Sequence, residues 1–379
     1  MRPDGFITPE HFHEDLKKRD LSGPNGWLLF VACNEGLELA RKVQLEYDSL
    51  LKEKSSELKG IPLSNDSRPP AWKETPDCLI KRVSDTETIP RLPEHVAGSN
   101  AFVFQYVHEL KTGNTVNENL MRLLQMIWTL KVHGAKNVTA VIPYHPYARQ
   151  DKPTFMMREG TLAKFVADMI VGAGANDVIT YHPHTEGIRG FYEPRARLNS
   201  LNGLDLFLEI AEPYRKRSDV VCVSPDAGGA KFNIHFANAL GVEYAISNKY
   251  RTSDRSTDLI GIIGNVEDKS IAIIGDDETV TFGTLRDTAK ALHQRYEIPE
   301  IQIMISHNKI RQESVPELLR AHEEFGVTIV HTTDSIAQRR EVLELPFVRV
   351  HSIAKRIALT INRLHYNQSK SEIFYKPSD

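Results

Sequence analysis

The stretch IAIIGDDETVTFGTL, residues 271–285, combines an apolar run, two adjacent aspartates and a turn rich in threonine and glycine. An apolar run followed by polar residues and then by helical spacing predicts a buried strand that leads through a turn into a helix. Ligands bind beyond the carboxyl ends of the strands in parallel sheets, so Asp276 and Asp277 are expected at a binding edge. Two carboxylates suit ribose hydroxyls or Mg²⁺, and the hydroxyls and backbone amides that follow suit a phosphate monoester.

Strand-like and helical segments alternate on both sides of this stretch. Apolar runs such as DVVCVSP (219–225) and IQIMISH (301–307) alternate with helical spacing, as in AKFNIHFANALG (230–241). This order is typical of parallel sheets that helices cover on both faces. The strands are too numerous for one comfortable sheet, so we predict an α/β fold with two domains that divide near residue 215.

Composition narrows the class of protein. The chain has 379 residues, of which 41% are hydrophobic and 26% charged, and its formal net charge is only -3. Bulk electrostatics therefore favours neither nucleic acid nor a membrane surface as a partner. The N-terminus has no apolar core of the signal-peptide kind, and we expect a cytoplasmic protein. Cys33 and Cys222 lie in apolar runs, which favours buried thiols in a reducing compartment.

Five polar loops follow predicted strands and are the candidate ligand sites. Arg149 has a planar guanidinium that suits phosphate, and Gly228 and Gly229 let the backbone approach a ligand at a helix start. His182 and His184 lie two residues apart, although a histidine near a strand end is more often a hydrogen-bonded surface residue than a metal ligand. The loops are YHPYARQD (144–151), HPHTEG (182–187), SPDAGG (224–229), NKYR (248–251) and DDETVTFGT (276–284).

These motifs, with NENLMRLLQMIWTLK and REGTLAKFVADMI between them, resemble the ribose-phosphate pyrophosphokinases, also called phosphoribosyl-pyrophosphate synthetases. VSDTE (83–87) is similar to that family's nucleotide-binding turn, and SIAKRIALTINRLHYNQSKSEIF is similar to its closing helix. The resemblance covers roughly residues 78–376. It implies two phosphoribosyltransferase-like domains, each a mostly parallel sheet flanked by helices, in a homo-oligomer such as a dimer or hexamer. The expected divisions are 1–215, the ATP-side domain with a polar insertion near 55–77; 216–350, the ribose-phosphate domain; and 351–379, which packs back on the N-terminal domain.

The resemblance also implies a reaction, which moves the β,γ-diphosphoryl group of ATP to the anomeric hydroxyl of a ribose 5-phosphate moiety and releases AMP. It places Mg²⁺ near His184 and Asp226. Lys249 and Arg251, in a mobile loop, are expected to act with His184 in catalysis. The remaining site residues contact ATP (Asp85, Glu87, Arg149 and Gln150) or the ribose phosphate (Asp276, Asp277, Thr281, Phe282, Gly283 and Thr284).

The chain departs from the family pattern at a few of these positions. The family usually has an aspartate where Val280 stands, a small residue where Phe282 stands, a phenylalanine where Val83 stands and an aspartate where His182 stands. Loss of one ribose-facing carboxylate removes charge-assisted hydrogen bonding on the order of 1–3 kcal/mol, which is enough to weaken the binding of a substrate and not enough to prove inactivity.

Three functions stay open at this point. The first is synthesis of phosphoribosyl pyrophosphate from ribose 5-phosphate. The second is the same chemistry on ADP-ribose, for NAD rebuilding, with Phe282 contacting the larger acceptor. The third is a catalytically silent regulatory subunit that binds nucleotide and joins active homologues. Survival of the other site residues favours an active enzyme.

Overall fold

The computed structural model of the protein describes residues 22–54, 80–92, 95–251 and 258–370. Within these ranges the chain forms two large sheets and a small hairpin. We call the two large sheets the N-terminal sheet and the C-terminal sheet. Both are mostly parallel and flanked by helices, as the alternation of strands and helices predicts.

The N-terminal sheet has the strand order β1-β2-β5-β6-β7-β8, in which all neighbours are parallel except β1 and β2. Its strands are β1 (Ser22–Gly23), β2 (Gly26–Ala32), β5 (Ser99–Phe104), β6 (Asn137–Val141), β7 (Asp177–Tyr181) and β8 (Arg197–Leu201). The hairpin consists of β3 (Ile80–Arg82) and β4 (Thr88–Pro90). The helices of this half are α1 (Leu37–Lys54), α2 (Val116–Val132), α3 (Leu162–Gly172) and the short α4 (Arg189–Tyr192).

Local sequence explains where the best-defined helix begins. The Thr115 side chain accepts a hydrogen bond from the backbone N–H of Glu118, and the Glu118 carboxylate accepts one from the backbone N–H of Thr115. This capping box satisfies two amide groups that the first turn of α2 leaves without helical partners. On the buried face of α2, Leu123, Met126 and Ile127 pack into the core beneath the N-terminal sheet.

The C-terminal sheet has the order β11-β10-β9-β12-β13-β14-β15, in which only the β10–β11 pair is antiparallel. Its strands are β9 (Val220–Ser224), β10 (Glu243–Arg251), β11 (Asp258–Gly264), β12 (Ile271–Thr279), β13 (Glu300–Asn308), β14 (Val327–Thr333) and β15 (Val348–His351). Its helices are α5 (Leu204–Ala211), α6 (Ala230–Leu240), α7 (Gly283–Arg295), α8 (Val315–Glu324) and the short α9 (Arg340–Leu343).

The last described helix, α10 (Ala354–His365), packs on α1 of the N-terminal half. Ile357 and Ile361 lie in the same apolar core as the residues of the N-terminal sheet. The Asn362 amide donates a hydrogen bond to Tyr47 OH at 3.0 Å, and the Asn25 amide donates to the carbonyl oxygen of Leu364 at 3.0 Å. Helix α10 is therefore held against the first described elements of the N-terminal half.

The packing of α5 bears on where the two halves divide. Leu204, Phe207 and Leu208 of α5 share a core with Cys222 of β9 and Phe236 of α6, on the C-terminal sheet. We therefore propose a division between β8 and α5, upstream of the expected position near residue 215, because a domain is best bounded where few apolar contacts cross.

Strand β8 is absent from the sequence prediction because its residues, RLNSL, look polar and short. The structure shows why polar residues suit this edge strand. Arg197 makes two hydrogen bonds of 2.8 Å to the Asp177 carboxylate on β7, and the Asn199 amide donates to the same carboxylate at 3.1 Å. Cross-strand polar pairs thus hold an edge that apolar periodicity does not reveal.

Two other expectations concern buried thiols and the membrane. Cys33 and Cys222 are free and fully buried, and burial raises the pKa of both thiols. Cys78 lies outside the described residues. None of the helices described here has the length and apolar character needed to cross a bilayer.

Candidate active site

The two aspartates of the opening stretch lie on a strand rather than in a turn. Strand β12 continues through Asp276 and Asp277 to Thr279, and it pairs with β13 along that length. The strand end projects past Gly275, whose position is tightly packed, because a Cβ there would lie 2.4 Å from Oδ1 of Asn233. Asp276 and Asp277 follow Gly275 directly on this strand end.

Asp277 meets His184, which follows β7 of the N-terminal sheet. Nδ1 of His184 lies 2.6 Å from Oδ2 of Asp277. This hydrogen bond raises the pKa of His184 above its usual value, although partial burial opposes the shift. Burial alone would raise the pKa of Asp277, but the hydrogen bond from His184 holds it well below its usual range. The contact joins the loop after β7 of the N-terminal sheet to strand β12 of the C-terminal sheet.

Asp276 lies in a different electrostatic environment. Its pKa is raised by burial first and then by the negative charges of Asp277 and Asp226. Oδ1 of Asp276 accepts a hydrogen bond from the backbone N–H of Asp277 at 2.9 Å. The neighbouring acids therefore differ: Asp277 is held ionised by His184, and Asp276 is pushed toward its neutral form.

Asp226 belongs to the tight turn between β9 and α6. Its Oδ1 accepts a hydrogen bond from the backbone N–H of Gly229 at 3.0 Å, and its side chain is exposed. Asn233, which sequence reasoning missed, joins this turn to β12. Its amide donates to the carbonyl oxygens of Gly229 at 3.1 Å and Gly275 at 2.8 Å. The turn that carries Asp226 is thereby fixed against the strand that carries Asp276.

His184 and Asp226 are of residue types that could hold a Mg²⁺ ion. Metal-binding histidines usually donate one ring N–H to a carboxylate, as His184 does to Asp277 through Nδ1, and this leaves Nε2 for a ligand. Asp226 offers an exposed carboxylate, the kind of oxygen donor that Mg²⁺ prefers. The described residues contain no group of three or more candidate metal ligands.

Arg149 and Gln150 lie in the loop after β6, and both are exposed. Nε of Arg149 approaches Oε1 of Glu278 at 3.2 Å, so this loop also meets the end of β12. Sequence reasoning missed Glu278, which is buried and paired on its other oxygen with Lys309 at 2.7 Å. The available signal was the acid in the fifth place of IGDDET, since a buried carboxylate needs a cationic partner.

Asp85 and Glu87 lie at the exposed tip of the β3–β4 hairpin. Oδ1 of Asp85 accepts a hydrogen bond from the backbone N–H of Glu87 at 3.2 Å, which is a local turn contact. The hairpin packs on α2, where Thr88 donates to Gln125 at 2.6 Å. Within the described ranges, the contacts of Asp85 and Glu87 do not join them to the residues after β6, β7 and β12.

The turn after β12 leads into α7, whose first residue is Gly283. Thr281 and Thr284 are exposed, and Thr281 Oγ1 lies 3.5 Å from the backbone nitrogen of Gly283. Amide groups at the start of a helix of this length, with adjacent hydroxyls, suit a phosphate. The prediction of a phosphate site at Thr281, Gly283 and Thr284 stays a prediction.

Phe282 does not face this turn's surface. Its side chain is 1% exposed and packs with Leu285 and Ala289 in the core of the C-terminal half. Its backbone takes the left-handed conformation, with φ 63°, which directs the ring inward at the helix start. The hypothesis that the Phe282 ring contacts an extended acceptor is therefore wrong for this arrangement, because the core encloses the ring.

The sequence predicts that Lys249 and Arg251 lie in a mobile loop. The backbone of both residues belongs to β10 and pairs with β11, Lys249 opposite Ile260 and Arg251 opposite Asp258. This part of the loop prediction is wrong, since the antiparallel pairing extends to Arg251. The roles expected of their side chains lie outside the described part of the structure.

His182 is held by contacts with other side chains of the protein. Its ring contacts the Phe232 ring, with centroids 4.4 Å apart and the two planes tilted by 37°, and Nδ1 lies 2.5 Å from Ser306 Oγ. Burial lowers the pKa of His182 to about 4, so the ring is neutral at physiological pH. A Cβ at Gly203 would lie 2.4 Å from Nδ1 of His182, which explains the glycine there.

Comparison with known proteins agrees with this architecture. Residues 31–174 match the model of the N-terminal domain of ribose phosphate pyrophosphokinase. The chain is 34% identical over 298 residues to the ribose-phosphate pyrophosphokinase of Fusobacterium nucleatum, covering 78% of this chain and 89% of the relative. It is 34% identical over 304 residues to that of Thermotoga maritima, covering 79% and 90% respectively.

A solved structure gives the same result at the level of the fold. The phosphoribosylpyrophosphate synthetase of Mycobacterium smegmatis superposes with a TM-score of 0.72 at 28% sequence identity. The match covers 89% of this chain and 98% of that one. Identity of this extent, over nearly the whole length of the relatives, shows common descent as well as a shared fold. The chain therefore belongs to the ribose-phosphate pyrophosphokinase family and is an enzyme of that family.

Proposed function

We propose that the protein transfers the β,γ-diphosphoryl group of ATP to the anomeric hydroxyl of ribose 5-phosphate and releases AMP. The observation that carries this proposal is the contact of 2.6 Å between His184 and Asp277. It joins the loop expected to hold the metal to the strand expected to hold the ribose diol. The names of the relatives support the same activity.

The chemistry asks the protein mainly for alignment and charge stabilisation. In this proposal Arg149 and Gln150 hold the nucleotide phosphates, with Asp85 and Glu87 toward the nucleoside. Asp276 and Asp277 hold the ribose diol. Because their pKa values are pushed in opposite directions, Asp277 accepts a hydrogen bond from one hydroxyl while Asp276 is the better donor.

Charge stabilisation has two sources in this proposal. Mg²⁺, held by Asp226 and the Nε2 edge of His184, would neutralise phosphate charge when it is bound with ATP. Lys249 and Arg251 would add positive charge from β10. The phosphate of the acceptor would lie at the start of α7, against Thr281, Gly283 and Thr284.

Ribose 5-phosphate is the proposed acceptor. ADP-ribose could contact the Phe282 ring only if that ring were exposed, and the ring is buried in the core. A silent subunit is expected to lose its site residues broadly, whereas His184, Asp226, Asp276 and Asp277 are present and in electrostatic contact. We further propose a cytoplasmic homo-oligomer with no nucleic acid or membrane partner.

The test is to incubate the protein with ATP, Mg²⁺ and either ribose 5-phosphate or ADP-ribose, and to follow AMP and the pyrophosphorylated product by mass spectrometry. We expect equal amounts of AMP and product with ribose 5-phosphate and little product with ADP-ribose. Product from ADP-ribose alone would replace the proposed acceptor. AMP release without any pyrophosphorylated product would contradict the transfer reaction itself.

A further inference from the structure

Glu278 is a buried carboxylate with a cation on each oxygen. Its side chain is 5% exposed, and Oε2 lies 2.7 Å from Nζ of Lys309, which is 6% exposed. Oε1 lies 3.2 Å from Nε of Arg149, whose side chain is 59% exposed. Oε1 has no hydrogen-bond donor in the structure, so the approach of Arg149 is an ion pair without an aligned N–H.

Lys309 fixes this carboxylate and also reaches the opposite half of the protein. Its Nζ donates to Tyr144 OH at 3.0 Å and lies 4.5 Å from the centre of the Tyr144 ring. Tyr144 and Arg149 belong to the same loop after β6, whereas Glu278 and Lys309 lie on and just after neighbouring strands of the C-terminal sheet. The loop is thus held to that sheet at two points by one buried ion pair.

The positive charge of Lys309 affects how Glu278 interacts with Arg149. Lys309 already neutralises the carboxylate, so Glu278 can hold Nε of Arg149 without carrying a full free charge that would compete with phosphate. A guanidinium has five N–H donors in a fixed plane. Nε is the Arg149 nitrogen that approaches Glu278, and 59% of the Arg149 side chain is exposed to solvent.

We propose that Glu278 is a positioning residue that orients the guanidinium of Arg149 toward the phosphates of the nucleotide. The inference rests on the proposed function, because it takes Arg149 as a ligand of ATP. The three consecutive acids of β12 would then have different partners. Asp276 and Asp277 would bind the acceptor, with Asp277 also contacting His184, and Glu278 would contact the loop that binds ATP.

A purely structural ion pair would also explain the burial, and a matched substitution separates the two explanations. Removing one partner leaves an uncompensated buried charge, whereas replacing both with apolar residues of similar volume is often neutral for stability. The variant Glu278→Met/Lys309→Met therefore removes the orienting carboxylate without leaving a buried charge. Glu278→Gln is the second variant, since it keeps the shape of the side chain.

The experiment measures the Kd for ATP with Mg²⁺ by calorimetry in the absence of acceptor, and then the KM for each substrate. We expect the Kd and KM for ATP to rise roughly tenfold in Glu278→Met/Lys309→Met, the size of one charge-assisted hydrogen bond. The KM for ribose 5-phosphate should change less than twofold, and the thermal midpoint should stay within a few degrees. Adding Glu278→Gln to Arg149→Met should cause no further loss of ATP affinity.

The outcomes separate this inference from the proposed function. If the parent binds ATP and both Glu278 variants bind it equally well, the pair is structural and the inference is overturned. If the loss of ATP affinity persists when Arg149 is already methionine, Glu278 does not act through Arg149. If the parent binds no ATP, the proposed function falls and the inference falls with it. The exposed pair Arg340–Glu344, replaced by two methionines, is the control and should leave ATP affinity unchanged.

Discussion

Nδ1 of His184 lies 2.6 Å from Oδ2 of Asp277, so the loop after β7 is joined to a strand of the opposite sheet 93 residues later. Each residue shifts the pKa of the other: the pKa of His184 is raised and that of Asp277 is lowered. The pair also orients the imidazole, because Nδ1 is engaged and Nε2 is left for a ligand. The most direct predictions concern these two side chains and their neighbours.

Asp277→Asn should lower kcat roughly 10–100-fold, the range found when a carboxylate behind a metal-binding histidine is removed. AMP release under saturating substrates is the measurement. Because Asp277 acts partly through His184, the double variant Asp277→Asn/His184→Ala should be little worse than His184→Ala alone. Losses that multiply in the double variant would show that the two residues act independently.

Asp226→Asn should raise the Mg²⁺ concentration needed for half-maximal activity and lower activity at limiting Mg²⁺, because it removes a charged oxygen donor. A titration of activity against Mg²⁺ measures both effects. The control is Asp219→Asn, at the opposite end of β9, where the carboxylate pairs with Arg217 on the surface. An Asp226→Asn enzyme with the parent Mg²⁺ dependence would remove Asp226 from the metal site.

Lys249→Ala should reduce turnover on the order of a hundredfold while the Kd for ATP changes little, if its charge acts mainly in the transition state. Steady-state kinetics and direct binding of ATP provide the two measurements. Comparable losses in binding and turnover would instead indicate that Lys249 holds ATP in the ground state.

Phe282→Ala should lower the free energy of unfolding by about 3–5 kcal/mol, because it empties a fully buried position in the C-terminal core. The folded variant should keep the parent's ratio of kcat/KM for ribose 5-phosphate over ADP-ribose. Denaturant unfolding and the two kinetic constants test this. Phe155→Ala is the control, since that ring is 89% exposed and its loss should cost little stability. A changed acceptor ratio would return Phe282 to the binding site.

His307 should make stability depend on pH. Burial lowers its pKa to about 4 from an ordinary 6.5, and its side chain is 1% exposed. Since His182 offers a carbonyl oxygen 3.0 Å from Nε2, the neutral ring carries its proton on Nε2. In the unfolded chain His307 binds a proton below about pH 6.5, whereas in the folded chain it binds one only below about pH 4. The contribution of His307 is therefore complete above pH 6.5 and is lost as the pH falls toward 4.

The loss amounts to roughly 3 kcal/mol over that range, from the free energy of a shift of this size. His307→Gln keeps a donor for the His182 carbonyl and cannot be protonated, so its unfolding free energy should fall less steeply between pH 6.5 and 4. Chemical denaturation at a series of pH values measures the difference. Identical slopes in the parent and the variant would contradict the prediction, and the exposed His133→Gln variant should match the parent.

The amino-acid sequence by itself determined the α/β alternation and the binding edge. Apolar runs and helical spacing specify strands and helices locally, and Asp226, His184, Asp276 and Asp277 each follow or end an apolar run. In a parallel sheet the carboxyl ends of the strands lie at one edge. The proximity of these residues could therefore be predicted without knowing any contact between distant parts of the chain. The family motifs add specificity to that inference, and the similar relatives agree with it.

Only the tertiary structure decided which partner each side chain meets. Phe282 occupies a loop motif, yet a left-handed backbone turns its ring into the core. Strand β8 pairs with β7, where Asp177 binds Arg197, and no periodicity reveals this pairing. By sequence Glu278 resembles any polar residue of a turn. In the structure β12 continues past it, and Glu278 contacts Lys309 and Arg149. The contact between Arg149 and Glu278 depends on how the two sheets face each other, and that arrangement cannot be predicted from local sequence.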